Sequence, residues 1–304
     1  MIEPGAIFIV GVGRSGTSLL QSMLHAHPQI RFLPETGFFR RYVADRRPRR
    51  WSPERLQETL ATDQQFQRAG IEPQDAAREG AWGLYLQMRK SAAGASPPRY
   101  VGDKDPRSIE CLPEVKRRFP DAIVIHVMRD PRDVLLSRMK AKWSAGRPWW
   151  VHPLIYRSQF RRGRIDGARL FGEQWIELKY ETLIAQPRST LERLCEQLSL
   201  AYHPDMLAFS QAAQELVARD ELSWKKETLG QLLADNAGKW RRELTSFQAL
   251  FVEAACKEAF VDVGYERLSN TEKLRWRDRL LLGASPAIRS ASLVAYQAAR
   301  MCFS

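Results

Sequence analysis

The reading of the fold turns on IFIVGVGRSGTSLLQSML, residues 7–24. An apolar run opens it, a glycine-rich turn follows at Gly11, Gly13 and Gly16, and Leu19, Leu20, Met23 and Leu24 then recur at helical spacing. The pattern predicts strand, loop and helix. Gly11 and Gly16 have the spacing of a Walker loop, but Thr17 stands where that pattern places lysine and Ser18 follows it. Backbone N–H groups from Gly13 to Ser18, at a helix N-terminus, still form an anion site. The Thr17 and Ser18 hydroxyls add donors, and Arg14 adds charge. In NTPases the missing lysine reaches the β- and γ-phosphates while Ser or Thr holds Mg²⁺. The loop therefore suits a ligand with one phosphate here better than a triphosphate. The plainer alternative is an ordinary Gly-Ser turn at a strand end.

Working outward, residues 30–33 (IRFL) read as a short second strand, and His27-Pro28 stops the first helix. Residues 40–98 are polar, basic and helical in pattern, with Ser52 as an N-cap ahead of Pro53 and a loop at 92–98. This segment is expected as an insertion over the active face. YVGDKDPRSIE (100–110) reads as a strand entering a polar turn. Residues 122–128 form a near-continuous apolar strand, with Pro131 where the next helix begins. WIELKYETLI opens a third strand–helix unit, and one long amphipathic helix is expected over about 246–260. Alternating strands and helices predict an α/β, P-loop-like three-layer fold with a central, mainly parallel sheet flanked by helices. The expected organisation is one domain over 1–270, followed by a basic helical tail over 271–304. That tail suits packing on the domain, on a second subunit in a homodimer, or peripherally on a membrane.

Lys and Arg outnumber Asp and Glu by 47 to 35, for a formal charge of +12, which favours an anionic ligand or surface. The four cysteines are scattered, with no CxxC pair or Cys/His cluster, which argues against a zinc site and a disulfide scaffold. No window is apolar for long enough to span a bilayer, and the N-terminus lacks a basic leader segment. The expected location is cytoplasmic, or peripheral at the inner face of the membrane.

Arg129 closes the strand VIHVM at the edge where open α/β sheets bind ligands, and Ser137 lies about two helical turns further on. Both can reach one second phosphate. GVGRSGTSLL, VMRDPRDVLLS, LKYETL and NAGKW, in this order, resemble the signatures of sulfotransferases that use 3′-phosphoadenosine 5′-phosphosulfate (PAPS). In that family the first loop holds the 5′-phosphosulfate without a Walker lysine and without a metal, and 3′-phosphoadenosine 5′-phosphate (PAP) is the product. The resemblance implies that Gly13, Arg14, Ser15, Gly16, Thr17 and Ser18 hold the 5′ end. It implies that Arg129, Ser137 and Lys239 bind the 3′-phosphate or its surroundings, with Tyr180 beside the nucleotide. Residues 23–41 and GDKDPRS are most similar to the tyrosylprotein and carbohydrate branches, which implies Glu35 as base and Lys104 as a catalytic lysine; Arg14 and Lys104 are expected to stabilise the transferring sulfuryl group and the leaving 5′-phosphate. Lys225 and Lys226 match a variable family loop more loosely. The histidine-base segment of the steroid and phenol branch is absent.

Bland readings compete at each position. Glu35 can cap a helix starting near Phe38, and Lys104 can pair with its aspartate neighbours at the surface. Arg129 can do the same with Asp130 or Asp133. His25 and His27, two residues apart, do not share a helix face and read as structural; His126 reads as a core histidine. Trp149 and Trp150 suit either an acceptor groove or a packed corner. The acceptor expected is a hydroxyl of a glycan, glycolipid or peptide tyrosine, and Arg40, Arg41, Arg46, Arg47, Arg49 and Arg50 point to an anionic one. The competing functions are a P-loop small-molecule kinase and a basic nucleic-acid- or membrane-binding protein. No convincing Walker B aspartate and no nucleic-acid motif is present.

Overall fold

The computed structural model describes residues 3–35, 37–43, 52–62, 75–144, 146–216 and 236–268. The tail, Lys225, Lys226 and the arginines at 46, 47, 49 and 50 lie outside them. Five strands, β1 (Gly5–Gly11), β2 (Ile30–Phe32), β3 (Tyr100–Lys104), β4 (Ile123–Met128) and β5 (Trp175–Lys179), form one sheet in the order β2-β3-β1-β4-β5. Every neighbouring pair is parallel. The helices are α1 (Thr17–His25), α2 (Pro53–Thr62), α3 (Asp75–Ala93), α4 (Leu112–Arg118), α5 (Pro131–Met139), α6 (Val151–Phe171), α7 (Tyr180–Ala185), α8 (Pro187–Gln197), α9 (Ser210–Leu216), α10 (Trp240–Glu243), α11 (Ser246–Ala255) and α12 (Lys257–Val263).

Side chains alternate across a strand, so the continuous apolar run of β1 supplies both faces of the sheet. Ile7 and Ile9 join Leu20, Met23, Leu183 and Leu191 in one buried cluster, with α1, α7 and α8. Phe8 and Val10 join Phe38, Phe39, Leu84, Tyr85 and Leu112 in the other, with α3 and α4. The chain leaves β1 for β2, returns to β3 beside β1, then crosses to β4 on the other side of β1. The strand order therefore reverses at β1, and a crevice opens beyond its carboxyl end.

Several local expectations differ from what is observed. α3 runs through Ala93, into the expected loop, and bends at Gly80, whose φ is 61°. The single helix expected over 246–260 is two, α11 and α12, which meet at Cys256 (φ −107°, ψ 32°). The break keeps Val252, Ala255, Cys256, Ala259 and Phe260 in one cluster with Tyr156 and Phe160, and Cys256 Sγ contacts the Pro153 carbonyl at 3.3 Å. As the third strand–helix unit implies, β5 gives way directly to α7, whose first turn carries Tyr180 and Glu181.

Candidate active site

The turn after β1 is built for close approach. Ser15 N donates to the Val12 carbonyl at 3.0 Å, and Arg14 and Gly16 have φ of 82° and 91°. Only glycine takes the second of these without strain. A Cβ on Gly16 would also lie 2.2 Å from Tyr180 Cδ2, whereas one on Gly13 would meet nothing within 4 Å. The face at Gly13 is thus open. Ser15 is buried, and its hydroxyl has no hydrogen-bond partner among the described residues. An unpartnered buried hydroxyl costs free energy that an anion in the turn would recover.

β3 delivers a buried cation to this turn. Lys104 pairs with Ile9 in register at the end of its strand. Its side chain is 0% exposed; Nζ donates to Ser18 Oγ at 3.2 Å and to Glu35 Oε2. Glu35 is 30% exposed, so the pair joins a buried lysine to a carboxylate that solvent reaches. The surface reading of Lys104 is overturned by this burial. Arg40 Nε donates to Asp105 Oδ2 at 3.3 Å, and Asp105 Oδ1 accepts from Arg107 N at 3.0 Å. These bonds fasten residues 37–43 to the end of β3. On the opposite face of the strand, the Tyr85 hydroxyl donates to Asp103 at 2.9 Å. Burial pushes the Asp103 carboxyl up to about 7; the Asp105 charge adds to the shift, while the Tyr85 bond, Arg89 and Lys104 oppose it.

Arg129, at the end of β4, is buried rather than paired at the surface. Its Nη1 donates to the Arg14 carbonyl at 3.2 Å and its Nη2 to the Asn236 carbonyl at 2.6 Å. The guanidinium carbon stands 4.4 Å from the Tyr180 ring centroid, and Nε has no hydrogen-bond partner among the described residues. Asp130 is engaged elsewhere, by Arg132 at 2.6 Å. Ser137, on α5, accepts from Arg14 Nε at 2.9 Å. Loop, β4 and α5 therefore meet around Arg14 and Arg129.

Two residues complete this corner in roles that the sequence does not assign to them. Asn236 Nδ2 donates to the Tyr180 hydroxyl at 2.8 Å. Asp133 accepts from Gly238 N at 2.7 Å and from Trp240 N at 3.0 Å, which brackets Lys239 at the start of α10. Burial raises the Asp133 carboxyl, and the two backbone donors and Arg129 oppose that shift. The NAGKW motif drew attention to Lys239, but only the fold reveals that its neighbours hold the segment. His25 accepts from Phe32 N at 2.9 Å, and His27 bonds the Ala201 carbonyl at 2.8 Å; both are structural. His126 is fully buried, and desolvation lowers its pKa and favours the neutral ring. Trp149 packs edge-on against Phe251 at 5.2 Å, a packed corner rather than a groove wall, while Trp150 is exposed. Among the described residues no group of His, Cys, Asp or Glu is arranged to hold a metal, and no helix is long and apolar enough to cross a membrane.

A model of the sulfotransferase family matches residues 4–204. Protein-tyrosine sulfotransferase 2 of Gallus gallus is 33% identical over 145 residues, 46% of this chain and 35% of that protein. Protein-tyrosine sulfotransferase 1 of Homo sapiens is 33% identical over 136 residues, 45% of this chain and 34% of that protein. The match spans about a third of the length of these relatives. Among solved structures, the sulfotransferase domain from the curacin biosynthetic pathway superposes with a TM-score of 0.63 at 20% identity, covering 87% of this chain and 99% of that one. That likeness concerns the fold. The kinase alternative is not favoured by any of these matches.

Proposed function

The chain belongs to the sulfotransferase family, and on that premise we propose that it transfers a sulfuryl group from PAPS to an acceptor hydroxyl of a glycoconjugate or a peptide tyrosine. The observation that carries the proposal is the position of Lys104, which touches both Ser18 in the loop and Glu35. A fixed buried cation thereby joins the anion-binding turn to a carboxylate open to solvent. The orphaned hydroxyl of Ser15, the open face at Gly13 and the orphaned Arg129 Nε fit an anionic donor with phosphates at two points.

When bound, the donor supplies a sulfuryl group on a phosphate oxygen, and the acceptor oxygen displaces that phosphate. Glu35 takes the acceptor proton as its oxygen bonds to sulfur. Lys104 and the N–H groups of the turn stabilise the charge that collects on the phosphate oxygen. Arg129 and Ser137 bind the nucleotide's second phosphate, with Lys239 at its surroundings and Tyr180 beside the base or sugar. Arg14, fixed to Ser137, keeps a positive charge between the two phosphate positions.

Calorimetric titration with PAP in the absence of Mg²⁺ tests the donor. Binding is expected, and Arg129→Ala should weaken it by at least about tenfold, because charged hydrogen bonds are lost. Binding of ATP–Mg²⁺ in place of PAP would refute the assignment. An acceptor screen over glycans and tyrosine peptides, with Glu35→Gln as the inactive control, then identifies the acceptor class.

A further inference from the structure

Among the described residues, the large apolar side chains that stand exposed are Leu86, Met139, Trp143, Trp150, Ile165 and Val261, and three of these fall between the end of α5 and the start of α6. Met139 is 43% exposed, Trp143 51% and Trp150 40%. Residues 134–165 contain eight Arg or Lys and no Asp or Glu. The cations on α6 are satisfied from elsewhere: Arg157 and Arg161 pair with Glu258, and Arg164 pairs with Glu177. In the turn, Lys140 pairs with Glu243. Lys142 and Arg147 are exposed and form no ion pair among the described residues.

The exposure is imposed by folded structure. Ser144 N donates to the Ala141 carbonyl at 2.9 Å and Arg147 N to the Ser144 carbonyl at 3.1 Å. The Ser144 hydroxyl is bonded to His152 Nε2 at 3.0 Å, and Trp149 is packed inward on Phe251. With these neighbours fixed, Trp143 and Trp150 are left facing outward. Ser137, which accepts from Arg14, precedes Met139 by two residues, so the surface adjoins the site.

Indole rings favour the boundary between headgroups and acyl chains, and Lys and Arg favour anionic phosphate beside it. We propose that this turn seats the protein on an anionic lipid bilayer, with Trp143, Trp150 and Met139 entering the interface and Lys142 and Arg147 against lipid phosphates. A second copy of the chain fits less well, since a two-fold contact would bring the same two cations face to face. The proposal does not depend on the sulfuryl-transfer reading.

The test is co-sedimentation of the full chain with vesicles of phosphatidylcholine alone and of phosphatidylcholine containing roughly a third phosphatidylglycerol. Binding is expected on the anionic vesicles only. Trp143→Ser with Trp150→Ser, and separately Lys142→Glu with Arg147→Glu, should each lower the partition coefficient at least about tenfold, with far-UV circular dichroism and the melting temperature unchanged. The charge reversals leave every buried apolar contact in place, so they keep the test open if the tryptophan variant misfolds. Equal binding by variants and wild type would assign any membrane contact to another part of the chain. Absence of wild-type preference for anionic vesicles, or a loss confined to binding of a single-stranded oligonucleotide, would equally overturn the proposal.

Discussion

The ring of Tyr180 occupies the space that a side chain on Gly16 would need: an ideal Cβ there falls 2.2 Å from Cδ2 and 2.7 Å from Cε2. The loop and the first turn of α7 are thereby fitted to one another, and the fit requires glycine twice over, for space and for a φ of 91°. Gly16→Ala should destabilise the protein by about 2–4 kcal/mol and abolish PAP binding, because Tyr180 must move and the turn must deform. Urea unfolding and calorimetry measure the two effects, and a variant with wild-type stability would show that the turn relaxes freely.

Glu35→Gln keeps the shape of the side chain but removes the proposed proton acceptor. The expected result is a fall in kcat of about 10²–10⁴, with PAP affinity changed by less than about threefold. Single-turnover transfer compared with PAP titration separates the two quantities. If kcat is retained, another residue takes the proton.

Asp133→Asn replaces a carboxylate that holds Gly238 N and Trp240 N with an amide that offers one oxygen. The segment bearing Asn236 and Lys239 should loosen, which raises the KM for the donor by about tenfold and leaves kcat within about threefold. Equal losses in kcat and kcat/KM would place Asp133 in the chemistry instead.

Asp103 carries a pH prediction. Its carboxyl titrates near 7 in the folded chain and near 3.8 when unfolded. Between these values the folded state binds the extra proton, so stability is greatest at the acid end of that window and falls as pH rises through it. Asp103→Asn, which still accepts from the Tyr85 hydroxyl, should flatten this slope and raise stability at pH 8 by about 1–3 kcal/mol. Thermal melts from pH 4.5 to 8 are the measurement; an unchanged slope would mean that Asp103 stays ionised.

All five strands and the glycine turn after β1 are legible in sequence because each is local: an apolar run, a glycine turn and a helical repeat lie within short windows. Arg129 was legible for the same reason, as a polar residue directly after a buried strand. The roles of Asn236 and Asp133 were not, because their partners Arg129, Gly238 and Trp240 stand 105 to 107 residues away and no periodicity records such pairing. The break at Cys256 is not legible because α11 and α12 share one buried face, so their apolar repeats run on through it.

The distance between Arg129 and its acceptor on Asn236 has a further consequence, in the order of synthesis. The N-terminal strand, the loop, Glu35, Lys104 and Arg129 all leave the ribosome before residue 236 does. A nascent chain halted after residue 216 carries each of these groups, yet Arg129 has no Asn236 carbonyl to meet and Tyr180 no amide donor. On the proposed assignment, the corner around Arg129 is completed late, when most of the chain is already made. The family match, over residues 4–204, ends before the segment that supplies Asn236 to Arg129 and Tyr180.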